Sequence, residues 1–142
     1  MSGVKVHRMA NAHVVHGEVD ASVRAPGALV VAPGARIAGD IDARGEVHVA
    51  RGAFVAGAIR AMGGVIVGAH ARVVRGIRAE GAVTVQAGAI VSGEIDAAGD
   101  VRLTPGSRVD TLLVGGDLHV MQPVVAPKVR VRGRVHVEPR EQ

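Results

Sequence analysis

Apolar residues in this chain fall on every second position in short runs, and the same runs return along its length. Counted from Gly27 as position 1, positions 3 and 5 are apolar in each repeat: Leu29 and Val31, Val47 and Val49, Val65 and Val67, Val83 and Val85, Val101 and Leu103, Leu118 and Val120, Val135 and Val137. Position 11 is Ile37, Val55, Val73, Val91 and Val109. Position 15 is Ile41, Ile59, Ile77 and Ile95, and positions 9 and 17 hold Ala or Ser. The residues between are mixed and often charged. Alternation with a period of two marks strands with one buried face, and β-branched residues suit such a pleated surface. The pattern predicts three short strands per repeat, near positions 2–5, 9–12 and 14–17. Turns are expected at Pro33-Gly34, Arg51-Gly52, Ala87-Gly88 and Pro105-Gly106, and again near Gly39, Gly57 and Gly93, because Pro and Gly interrupt strand pairing.

Four copies of 18 residues begin at Gly27, Gly45, Gly63 and Gly81 and run without insertion to Ala98. Copies beginning at Gly99 and Gly116 are one residue shorter, and another opens at Gly133. A fixed period of this size means stacked units, each touching only its neighbours. The expected fold is all-β, a parallel β-helix (β-solenoid) of roughly triangular section with about 18 residues per coil and six to seven coils. Coils about 4.8 Å apart make a rod on the order of 30 Å long. Left-handed hexapeptide helices share this period but need an aliphatic residue every six positions. Here the aliphatic positions are 3, 5, 11 and 15, so a right-handed coil is expected. The domain reading is an N-terminal tail or irregular strand over 1–13, a β-helix over 14–137 and a tail over 138–142. Within it, residues 4–26 read as an irregular first coil, because four extra residues intervene between the Glu18-Val19-Asp20-Ala21 segment and Gly27.

Composition narrows the interior. Of 142 residues, 48% are hydrophobic, yet there is one Phe and no Trp, Tyr or Cys. A core of Val, Ile, Leu and Ala suits a narrow space repeated on each layer rather than an irregular globular one. The lack of Cys excludes a disulfide scaffold and cysteine metal sites and fits a reducing cytoplasm. No segment reaches the length of a signal sequence or a membrane span. The net charge of +4 is modest and spread through the repeats.

The chemistry sought in the sequence is largely missing. His48, His119 and His136 share position 4, but Ile66, Thr84 and Arg102 lie between the first two in that column. A metal site is not expected from them, nor from the pair His13 and His16. The only lysines, Lys5 and Lys128, are not in a phosphate-binding loop. Ser92 and Ser107 have no nearby His for a catalytic triad. Nucleic-acid binding lacks aromatic stacking platforms. No cofactor and no catalytic residue are expected.

The segments Gly-Ala-Arg-Ile-Ala-Gly-Asp-Ile-Asp-Ala (34–43), Gly-Ala-Ile-Val-Ser-Gly-Glu-Ile-Asp-Ala (88–97) and Leu-Thr-Pro-Gly-Ser-Arg-Val (103–109) give the chain a pattern that resembles the bactofilins, bacterial polymer-forming cytoskeletal proteins. The resemblance covers about residues 14–137. It implies a right-handed β-helix that assembles end to end into filaments without nucleotide. It also implies a scaffold that supports cell shape or positions cell-wall-modifying or chromosome-organising proteins. The implied location is cytoplasmic, with a membrane-peripheral position as the alternative. The chain departs from the family in two places. Residues 1–13 offer only Val4, Val6 and Met9 with Lys5 and Arg8 for a membrane contact, and the sole aromatic, Phe54, lies mid-rod rather than in the last coil.

A bare solenoid end exposes unpaired strand edges and a slice of apolar core, which invite another chain. The segment 129–137 reads as one alternating strand. Its apolar row, Val129, Val131, Val135 and Val137, together with Leu118 and Val120, is the expected polymer contact, and Arg130, Arg132, Arg134 and His136 form a basic row. Stacking also predicts an outer ladder of Arg36, Phe54 and Arg72, and a charged column of Asp42, Arg60, Arg78 and Asp96. Two rival functions remain at this point. One is a left-handed hexapeptide-type enzyme, acyltransferase or γ-carbonic-anhydrase-like, with its site between subunits. The other is a non-polymerising adaptor.

Overall fold

A computed structural model describes residues 6–9, 12–121 and 128–138. In it the chain climbs as a β-solenoid of about seven turns with about 18 residues per turn. The strands are β1 (Val6–Met9), β2 (Ala12–Val15), β3 (Glu18–Val19), β4 (Val23–Ala25), β5 (Ala28–Val31), β6 (Arg36–Ile37), β7 (Ile41–Ala43), β8 (Val47–Val49), β9 (Phe54–Val55) and β10 (Ala58–Ala61). They continue as β11 (Val65–Val67), β12 (Arg72–Val73), β13 (Gly76–Ala79), β14 (Val83–Val85), β15 (Ile90–Ala97), β16 (Val101–Leu103), β17 (Arg108–Val114), β18 (Leu118–Met121), β19 (Lys128–Val131) and β20 (Val135–Glu138).

These strands stack in three columns. The first face is a nine-stranded sheet in the order β1-β2-β5-β8-β11-β14-β16-β18-β20. The second holds β3, β6, β9 and β12, and the third holds β4, β7, β10 and β13. The long strands β15 and β17 turn the corner between them unbroken and so join both columns into one sheet. Every pairing among the described strands above β2 is parallel, with equal repeat positions opposite one another as in Val47↔Val65↔Val83 and Ile41↔Ile59↔Ile77↔Ile95, apart from a register shift between β15 and β17.

The alternation seen in the sequence points its apolar set inward. Leu29, Val31, Ala35, Ile37, Ile41 and Ala43 of one rung are all buried, and the equivalent positions of the repeats that begin at Gly45, Gly63, Gly81 and Gly99 are buried as well. Ser107 replaces the usual Ala at its position and is buried, but its hydroxyl donates to the Thr104 carbonyl at 2.8 Å. That bond removes most of the cost of burying a polar group. The leading glycines form a corner ladder. Each N–H donates to the carbonyl of the glycine below, Gly45 to Gly27, Gly63 to Gly45 and Gly81 to Gly63, all at 3.1 Å. A Cβ on Gly45 would lie 2.8 Å from the Ala28 nitrogen, so only glycine allows corners this close.

Three expectations change. The residues read as extra before Gly27 are β4: Val23 pairs with Ile41, as Val19 pairs with Ile37. The first rung is therefore regular on its second and third faces. Gly93 makes no turn but lies inside β15, whose register against β17 shifts between Val91 and Glu94. The one-residue shortening of the fifth repeat is absorbed at that corner. The segment 129–137 is two strands, not one. β19 belongs to the third face and β20 to the first, with a bend at Arg132 and Gly133 between them.

Candidate polymer end and surface ladders

The two ends of the solenoid are built differently. At the N-terminal end, β1 lies antiparallel on β2, pairing Val6 with Val15 and Met9 with Ala12. It covers the edge of the first face. Among the described strands, β3 pairs only with β6 and β4 only with β7. At the C-terminal end, β20 pairs only with β18 and β19 only with β17. Their outer edges carry backbone donors and acceptors with no further strand among the described residues. Residues 122–127 lie outside the described residues.

Equal repeat positions differ in exposure between the middle of the rod and this end. At position 3, Val65, Val83 and Val101 are 0% exposed, while Val135 is 52% exposed. At position 5, Val67 and Val85 are 0% exposed and Val137 is 50% exposed. Val129 is 42% exposed, although Leu112 directly below it is fully buried. Val131 is half-buried. Leu118 and Val120 sit one rung deeper. Leu118 is buried beneath Val135, and Val120 is partly buried beneath Val137. The four outer valines thus share the open end, and Leu118 and Val120 support them from below.

The basic row divides with the strands: Arg130 on the third face, Arg132 at the bend, Arg134 at the next corner and His136 on the first face. Carboxylates stitch this corner. Asp100 Oδ1 accepts the Asp117 N–H at 2.8 Å, and Asp117 Oδ1 accepts the Arg134 N–H at 2.9 Å. Asp40 Oδ1 does the same for the Ala58 N–H at 2.8 Å at another corner. His119 and His136 stack face to face, with centroids 5.0 Å apart and planes 10° off parallel. The sequence shows His119 and His136 17 residues apart, the spacing of adjacent short coils, and that spacing is the signal for their contact.

The outer ladders are in register. Arg36, Phe54 and Arg72 follow one another up the second face. The Arg36 guanidinium carbon lies 5.4 Å from the Phe54 ring centroid, a cation–π contact worth about 0.5–1 kcal/mol at an exposed site. On the third face, Arg24, Asp42, Arg60, Arg78 and Asp96 share a column. Arg78 Nε lies 3.9 Å from Asp96 Oδ2, and both side chains are exposed, so the pair contributes little.

Among the described residues, no group of three or more His, Cys, Asp or Glu is placed to hold a metal ion. No helix among the described residues is long and apolar enough to cross a membrane. The geometry presents half-exposed valines at the C-terminal end of the described residues and ordered columns of charge along the rod.

A family model described as Bactofilin, polymer-forming cytoskeletal, matches residues 3–96, well over half of the chain. No curated protein and no solved structure matches it.

Proposed function

The chain belongs to the bactofilin family of polymer-forming cytoskeletal proteins, and on that premise we propose that it is a structural scaffold assembling end to end into filaments without nucleotide. The observation that carries this reading is the contrast between equal repeat positions. A valine at position 3 is fully buried in the middle of the rod and half exposed at its C-terminal end. Strand edge and apolar core are presented together there, and a second chain satisfies both at once. The contact residues are Val129, Val131, Val135 and Val137, with Leu118 and Val120 beneath them. The partner is another copy of the chain. Filaments so formed support cell shape or position cell-wall-modifying or chromosome-organising proteins in the cytoplasm. No catalytic residue and no cofactor enter this role.

Pelleting of the full chain in nucleotide-free buffer tests the proposal. Wild-type protein is expected in the pellet as polymer. Val135→Asp is expected in the supernatant with an unchanged β circular dichroism spectrum, since Val135 lies at the end and the rungs below it do not depend on it. Polymer formed equally by this variant would refute the assigned contact.

A further inference from the structure

The two ends of the rod differ in packing as well as in pairing. At the C-terminal end Val129, Val135 and Val137 are about half exposed. At the N-terminal end Val15, Val19, Val23 and Ala25 are all buried, although their strands form the first rung. The position-3 column shows the same contrast. It is apolar at Leu29, Val47, Val65, Val83, Leu118 and Val135, and below Leu29 it passes to His13 and then to Arg8. A charged residue in a column that is otherwise core is one means by which an open sheet edge is blocked. The edge of β2 on which a further rung of the first face would pair is occupied by β1. No described strand does the same for β20.

We propose that β1 is a cap that raises the concentration needed for filament growth. While it holds the edge of β2, the N-terminal end takes no second chain, and two chains join only through their C-terminal ends. A molecule with one joining end stops at a two-fold pair, whereas a filament needs both ends. β1 adjoins β2 in sequence and pairs with no other described strand. It opens while the rungs above stay folded, because terminal elements open at low free energy. Once it opens, the edge of β2 and the apolar side chain of Val15 are presented together, as β20 presents its edge with Val135 and Val137. A joint that needs a minor open form is weakened in proportion to the fraction of chains that are open. A cap shut in about nine chains of ten thus raises the critical concentration roughly tenfold. The inference rests on the scaffold reading and adds to it the end that controls growth.

The chain has no Cys, so an introduced disulfide locks the cap without competing thiols. His7 and Val14 are register partners on β1 and β2. Partners in an antiparallel pair have Cα atoms about 4.5–5.5 Å apart, within disulfide reach. Val14 stands in the outer column with Val30, outside the core. Full-chain H7C/V14C is oxidised, its free thiols are counted, and its assembly is followed by pelleting and sedimentation velocity with and without dithiothreitol. The oxidised form is expected to stay in the supernatant as a dimer at concentrations where the reduced form pellets. With Val135→Asp added, the oxidised form is expected to be a monomer. The opposite variant, H7P/R8P, places proline at two successive positions, one of which donates its N–H to β2. With an unchanged β circular dichroism spectrum, its critical concentration is expected to fall about tenfold below that of the wild type. Polymer formed equally by oxidised and reduced H7C/V14C overturns the cap and leaves the scaffold reading standing. A critical concentration that H7P/R8P fails to lower does the same. If reduced H7C/V14C and H7P/R8P both stay in the supernatant at every concentration, the scaffold reading is overturned and the cap with it.

Discussion

Val65 and Val135 occupy the same repeat position, and trimming each to Ala separates interior packing from end packing. Val65 is fully buried, with Val47 below it and Val83 above it in register. Val65→Ala removes two methyl groups, about 0.8 kcal/mol each in transfer, and leaves a cavity between fixed rungs, for a total of roughly 2–3 kcal/mol. Val135 has Leu118 below it and is 52% exposed. Val135→Ala removes about half as much buried area and leaves no closed cavity, so its cost is under about 1 kcal/mol. For a domain of this size each kcal/mol moves the Tm by about 4 °C. Thermal denaturation of dilute, unassembled protein is therefore expected to show a drop of roughly 10 °C for Val65→Ala and less than about 4 °C for Val135→Ala. Equal drops would refute the reasoning, because they would mean that the last rung is packed as fully as the middle ones. At assembling concentrations the order reverses in a pelleting assay: Val135→Ala weakens polymer more than its stability loss explains.

Three further outcomes concern a corner strand, a turn and an outer ladder. Gly93→Ala places a Cβ against the Arg75 carbonyl oxygen in the rung below, so it is expected to destabilise the chain by about 1–3 kcal/mol in urea denaturation. His70 adopts φ 59° at the position where Gly34, Gly52, Gly88 and Gly106 adopt φ between 71° and 84°. His70→Gly relieves about 1 kcal/mol of left-handed strain and is expected to leave Tm unchanged or slightly raised, the gain being offset by lost contact with Gly88. Phe54→Ala removes a half-buried ring under Arg36, and a shift of about 1 kcal/mol or less in the same assay is expected.

Much of this architecture is legible in the sequence because the solenoid copies one local rule. The pairs Val47/Val49 through Val101/Leu103 fix the first face, and Ile41, Ile59, Ile77 and Ile95 fix the third. Where the period breaks, reading fails. The first rung hides its register because the offset to the next is 16 residues on the first face and 18 on the others, as Ala12↔Ala28 and Val23↔Ile41 show. The antiparallel strand β1 lies outside the repeat, so no periodic signal announces its pairing with β2. Gly93 has the composition of a turn, yet the next coil lacks one residue and the strand runs straight through the corner. Alternation in 129–137 survives the bend at Arg132 and Gly133, so two strands look like one. The alternation of 129–137 names the valines of that end but not their layering, because only coordinates show Leu118 buried beneath Val135.

Negative-stain electron microscopy of the purified full chain in nucleotide-free buffer, with fibre diffraction of the same sample, tests the central claim most directly. Rungs stacked within and between chains predict unbranched filaments one solenoid wide, with a strong meridional reflection at about 4.8 Å. Discrete single particles at every protein concentration, or filaments that lack that reflection, would contradict the account.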